Sequence, residues 1–250
     1  MTTNPGAPAP GGATPPGDAT PPAATPPAST TPKRDAMRKG IEPIARKMAD
    51  VGLTANKLTL IGFGIAAIAA AFAGFQWWLL AGIVGTLGSG FDMFDGAVAR
   101  VTGTVSKFGA FMDSTFDRWG EAILYVGIII GCNNAGFNIG AWLAAAAMGD
   151  AFMVSYTRAR AESLGFSSGR GMAGVGLAPR EVRVVILGIG LVGAGLFGGV
   201  NAWDPFNGAS PAATTGTLIL ALSLFLIAVL AAVTVIQRIL FVQKQAKAMA

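Results

Sequence analysis

The sequence has no histidine and a single cysteine, and only 12% of its 250 residues are charged. Without histidine there is no imidazole for acid–base catalysis and no conventional zinc site. The single cysteine, Cys132, cannot form an internal disulfide, and its surroundings read as helix packing rather than as a reactive site. A soluble globular domain carries about 25% charged residues. The shortage of charge here, with 52% hydrophobic residues and a mean hydropathy of +0.57, excludes that class and indicates an integral membrane protein. Residues 1–32 lack an apolar core, so no secretory signal is expected there. They are almost entirely Pro, Ala, Gly and Thr, too poor in buryable surface to order themselves. They are read as a disordered cytoplasmic tail before a membrane domain over 33–250.

What is present is a succession of apolar stretches. From Lys33 to Asp50, basic residues alternate with Met37, Ile41, Ile44, Ala45 and Met48 at helical spacing, the pattern of an amphipathic helix lying on a membrane surface. Six stretches follow at 58–75, 77–99, 108–131, 139–157, 182–200 and 214–240, each near the ~20 residues that a bilayer requires. The expected fold is therefore an all-α membrane protein, six transmembrane helices preceded by a cytoplasmic surface helix. All 18 Lys and Arg residues fall on one side of this arrangement, and the turns near 75–77, 132–138 and 201–213 contain none. By the positive-inside tendency, both termini are cytoplasmic in a multi-pass inner (cell) membrane protein. The net charge of +5 lies beside the membrane, which suits anionic lipid or phosphate and gives no reason to expect nucleic acid.

Within this oily chain, Asp92 and Asp95 stand three apart, and Asp113 and Asp117 four apart. Either spacing puts both carboxylates of a pair on one helix face. One aspartate at membrane depth costs about 3 kcal/mol, so four cost on the order of 10 kcal/mol unless positive charge offsets them. Pairing with Arg100, Lys107 and Arg118 is one offset. Four carboxylates on two matching faces favour another, a pair of hard divalent ions such as Mg²⁺ or Mn²⁺. Gly96 and Ala99 share the first face, and Gly109 repeats at intervals of four with Asp113 and Asp117, leaving room for a bulky ligand against the backbone. The short turn at 101–106 makes the two spans antiparallel neighbours, so both acidic faces meet near the cytoplasmic surface. Two ions there would clamp a pyrophosphate, and one aspartate would accept the proton of an attacking alcohol.

The run Asp92-x2-Asp95-Gly96-x2-Ala99-Arg100-x8-Gly109-x3-Asp113-x3-Asp117 resembles the signature of the CDP-alcohol phosphatidyltransferase family at every fixed position. The resemblance covers everything but the tail. It implies a Mg²⁺- or Mn²⁺-dependent enzyme, with two ions per site, in which an alcohol attacks the lipid-linked phosphorus of CDP-diacylglycerol and releases CMP. On that resemblance Asp92, Asp95, Asp113 and Asp117 are metal ligands and Asp117 is also the general base. Gly96 and Arg100 contact the nucleotide diphosphate, with Ala99 and Gly109 beside them. Asn56, Lys57, Leu58 and Thr59 cradle the cytidine end, and Ser106 reaches a phosphate from the turn. Helix capping is the competing role for Thr59 and Ser106. A homodimer is a further implication of the resemblance.

The acceptor is read from a second segment. Ser155-Tyr-Thr-Arg158-Ala-Arg160-Ala-Glu162 is similar to a run in the actinobacterial phosphatidylinositol-phosphate synthases, which implies inositol 1-phosphate as the phosphorylated alcohol. Arg158 replaces a lysine of that subgroup, and Arg180-Glu181-Val182-Arg183 replaces its Arg-Pro-Glu-Arg run. Ser155, Arg158, Arg160, Arg183 and Arg238 are the expected phosphate-binding set, since guanidinium forks match a dianionic phosphate, while positive-inside anchoring is the alternative role. Glycerol 3-phosphate is the rival acceptor. A cation or metabolite transporter is the rival function, but such proteins show inverted repeats and helices broken at the midplane, and this chain shows no internal repeat.

Overall fold

The computed structural model describes residues 32–166 and 175–249. Within them are seven helices and no strand: α1 (Pro32–Asp50), α2 (Ala55–Gly74), α3 (Trp78–Val101), α4 (Lys107–Asn134), α5 (Asn138–Ser163), α6 (Arg180–Leu196) and α7 (Thr215–Met249). The Pro-rich stretch before Pro32 and the glycine-rich loop carrying Arg170 lie outside the described residues. The expected span boundaries match α2 to α7 to within a few residues, except at the basic ends of α5 and α7. Those helices continue through SYTRARAES and QRILFVQKQAKAM, because charged residues of good helix propensity prolong a helix past the apolar stretch.

Three helices, α2, α5 and α7, are long and apolar enough to cross a membrane. The acidic and basic residues of α3 and α4 interrupt their apolar character, and α6 has only 17 residues. α2 packs on α3 and α4, α3 on α6, α6 on α7, α7 on α5, and α5 on α4. The main core gathers Trp78, Tyr125, Ile128, Leu191, Leu220, Leu224 and Ile227 from these helices. α1 lies against α3, with Ala45 fully buried beside Leu58, Ala97 and Val98, while Ile44 on its other side is exposed.

The closest packing is between α2 and α4. A Cβ on Gly127 would collide with the backbone of Ala70, and one on Gly131 with the carbonyl of Ala73. Two glycines four apart thus let the helix backbones touch, the small-residue mode of membrane helix association. That approach places the acidic half of α4 beside α2 and α3.

Candidate active site

Local capping sets the ends of the site helices. Thr54 caps α2, its Oγ1 accepting from Lys57 N at 3.4 Å, and Ser106 caps α4, its Oγ accepting from Gly109 N at 3.0 Å. Ser106 therefore has a capping role here. Thr59 does not. It is buried one turn inside α2, where its hydroxyl reaches Asp95 Oδ2 on α3 at 2.8 Å.

The two acidic faces meet through an arginine from a third helix. Arg180, the first residue of α6, places Nη2 2.7 Å from Asp92 Oδ2 and Nη1 3.2 Å from Asp117 Oδ1. Arg118 adds a longer contact to Asp117 at 3.4 Å. Asp113 lies within electrostatic reach of Asp92, Arg180 and Arg118, and Asp95 within reach of Asp113 and Asp92. Side chains rather than spacing alone thus bring the four acids into one neighbourhood. As placed here, no three acid side chains among the described residues gather tightly enough to share one ion, and Asp92 and Asp117 share a guanidinium.

Small residues make the approach possible. A Cβ on Gly62 of α2 would stand 3.1 Å from Asp92 Oδ1, and one on Gly96 would stand 3.2 Å from Arg100 Nη1, so the Arg100 guanidinium lies over the Gly96 backbone. Gly109 sits between the Ser106 hydroxyl and Asn56 Oδ1, which draws Asn56, Ser106 and Gly109 into one group at the ends of α2 and α4. Lys57 is exposed, with Nζ on Gly52 O at 3.1 Å, and Ala99 is half-buried. Leu58 points the other way, 1% exposed in the core beneath α1, so it supports this end of α2 from behind.

The candidate acceptor residues fall into two groups. Ser155 and Arg158 are half-buried and Arg160 is exposed along α5, with Arg158 Nε 3.0 Å from Glu162. Arg183 and Arg238 are buried, 2% and 4% exposed. Arg183 donates Nε and Nη2 to the two oxygens of Glu121, each at 2.8 Å, and Nη1 to Ala178 O at 2.9 Å. Arg238 donates to Val175 O at 3.0 Å and to Val154 O. In this conformation both guanidinium groups are turned to protein partners. Thr234 adds to this anchorage: its Oγ1 accepts from Leu177 N at 3.0 Å and Ala178 N at 2.9 Å. The segment leading into α6 is thus pinned to α7 and α4.

A cleft opens at this place, with Thr59, Asp92, Asp117, Glu121, Arg180 and Arg183 at its polar end. Gly85, Leu124, Leu187 and Leu191 line its apolar depth between α3, α4 and α6. One charged end and one oily end in a single cleft suit a ligand with a phosphate head and hydrocarbon attached. Glu121, Thr234 and Gly62 carry no signal in the sequence, because each acts on a residue distant in the chain and leaves no local pattern.

Comparison with known proteins places this arrangement. The archaetidylinositol phosphate synthase of Pyrococcus horikoshii is 34% identical over 213 residues, 85% of this chain and 95% of that protein. The phosphatidylinositol phosphate synthase of Cutibacterium acnes is 30% identical over 216 residues, 84% of this chain and 96% of the relative. In structure the chain resembles Mycobacterium tuberculosis phosphatidylinositol phosphate synthase with CDP-DAG bound, with TM-score 0.65 and 25% identity, covering 82% of this chain and 94% of that one. The same enzyme in complex with manganese and citrate gives TM-score 0.67 and 26% identity, covering 81% and 88%. Residues 52–244, which carry all four aspartates, match the family model described as CDP-alcohol phosphatidyltransferase, and the chain belongs to that family of enzymes.

Proposed function

We propose that this protein transfers the phosphatidyl group of CDP-diacylglycerol to inositol 1-phosphate and releases CMP. The observation that carries the reading is the meeting of Asp92 and Asp117, from adjacent helices, at the polar end of a cleft whose depth is apolar. Relatives named for inositol phosphate products, and a structural neighbour solved with CDP-DAG, support the choice of donor and acceptor.

The donor set fits a hard divalent ion. Its oxygens are all carboxylate, from Asp92, Asp95, Asp113 and Asp117, and two of these acids already share one cationic group. These four residues would hold two ions, Mg²⁺ or Mn²⁺. When bound, such ions withdraw charge from the attacked phosphorus and stabilise the departing phosphate. The remaining work belongs to the chain. Asp117 takes the proton of the attacking hydroxyl. Arg100, lying over Gly96, faces the nucleotide diphosphate, and Asn56, Lys57, Ser106 and Gly109 form the edge where the cytidine end rests. Thr59 fixes the rotamer of Asp95. Ser155, Arg158 and Arg160 receive the acceptor phosphate from α5, with Arg183 and Arg238 holding the wall behind them.

The chain crosses the cell membrane six times, with α1 on the cytoplasmic surface, both termini inside and the active site at the inner leaflet. It acts as a homodimer. The deciding experiment offers purified protein a labelled CDP-diacylglycerol with inositol 1-phosphate, inositol, glycerol 3-phosphate or serine in separate reactions. CMP and a doubly phosphorylated inositol lipid should form with inositol 1-phosphate alone. Product only with glycerol 3-phosphate would reassign the acceptor, and no CMP with any of them would overturn the reading.

A further inference from the structure

Arg180 belongs to no element of the expected acid-and-metal set, yet its guanidinium contacts two carboxylates of that set. Its two terminal nitrogens reach Asp92 on α3 at 2.7 Å and Asp117 on α4 at 3.2 Å, one carboxylate each. This is not the posture of a loose surface arginine. Its Nε is buried without a hydrogen-bond partner among the described residues, a desolvation cost that the pull of the two carboxylates must outweigh. The backbone at its root is clamped on both sides. Arg183, one turn further along α6, is tied bidentately to Glu121 and also holds Ala178 O. Leu177 N and Ala178 N, just before α6, are held by Thr234. Gly176 in that strap has φ +120°, and a Cβ there would collide with Thr234. The strap therefore delivers the guanidinium to one place.

We propose that Arg180 is a built-in competitor for the divalent cation, occupying the same oxygens of Asp92 and Asp117 that the cation requires. This rests on the metal reading of the aspartates given above. A guanidinium fork spanning two carboxylates and a hard ion ligated by them cannot both use those oxygens. Arg180 therefore sets the cation affinity below that of the four carboxylates alone. If the guanidinium holds the acid pair in nine molecules of ten, the apparent affinity is about tenfold weaker than the intrinsic one. The clamp through Arg183 and Thr234 keeps the displaced guanidinium at the cleft, so displacement is reversible.

The test is Mn²⁺ binding to the purified protein without lipid or acceptor, read from the electron paramagnetic resonance of free Mn²⁺ during titration. Thermal unfolding of each variant is followed in the same detergent. Arg180→Gln should bind Mn²⁺ about tenfold more tightly than the parent protein. Arg180→Lys should fall between them, because one ammonium cannot reach both carboxylates as a fork does. Asp92→Asn should bind Mn²⁺ more weakly than the parent protein. If Arg180→Gln is folded and binds Mn²⁺ no more tightly, the competitor role is overturned while the metal reading stands, provided Asp92→Asn still loses affinity. If Arg180→Gln does not fold, Arg180→Lys decides, and equal or weaker binding by it overturns the proposal. Absence of Mn²⁺ binding by the parent protein would remove the metal reading itself and this proposal with it.

Discussion

Asp117 is the proposed general base, and its surroundings make that role testable without unfolding the protein. It meets Arg180 at 3.2 Å and Arg118 at 3.4 Å, but Arg180 keeps a shorter partner in Asp92. Asp117→Asn is isosteric and leaves that anchor in place, so the fold should survive. Removing the proton acceptor should lower turnover by about 10²- to 10⁴-fold, measured as CMP release at saturating substrates. Turnover near the parent rate would remove Asp117 as base. These aspartates were legible in the sequence because acids spaced three or four apart are costly in an apolar chain unless a cation offsets them. Their partners were far less legible. Thr59 reads as a contact for the cytidine end, yet its hydroxyl lies on Asp95, 36 positions away. Arg183 and Arg238 read as phosphate ligands because they are cationic at the cytoplasmic side. Their burial depends on Glu121 and on backbone carbonyls that no local pattern exposes.

At the scale of elements, glycine has two opposite meanings, and the structure separates them. Gly127 of α4 is where two helix backbones touch, since its Cβ would meet the backbone of Ala70 rather than a flexible side-chain end. Gly64 of α2 has nothing within 4 Å of where its Cβ would stand. Gly127→Ala should therefore destabilise the protein by about 1–3 kcal/mol through overpacking, with a lower unfolding midpoint in detergent. Gly64→Ala should raise or leave unchanged that midpoint, because alanine is the better helix former by about 1 kcal/mol. Equal effects from both would show that the α2–α4 contact does not organise the bundle. α3 and α4, expected as neighbours across their short turn, hardly touch, and each packs on α2 instead. The helices themselves were legible from apolar length. The strap before α6 was not, because its conformation is fixed by Thr234, 56 and 57 positions away in sequence.

At the scale of the whole molecule, the distribution of charge and the position of the site are one fact. Among the described residues, the basic ones lie toward the end where the acids meet, and the opposite end, which carries Asp204, has no Lys or Arg. There Asn201 Oδ1 accepts from Thr214 N at 3.0 Å and Thr217 Oγ1 at 2.8 Å, and Trp203 stacks on Phe137 with ring centroids 6.0 Å apart. An end whose polar groups satisfy one another and carry no cation is the one readily translocated across a membrane. The proposed orientation keeps the cationic end inside, with the water-soluble nucleotide and acceptor. A cysteine placed in each end measures this directly once the buried Cys132 is changed to alanine. Phe206 is 91% exposed in the α6–α7 connection, and Lys107 is exposed at the start of α4. In intact cells, a membrane-impermeant thiol reagent should label Phe206→Cys and spare Lys107→Cys until the membrane is opened. The reverse labelling would place the four aspartates on the outer face, away from any supply of CDP-lipid head groups, and the proposed reaction could not run there.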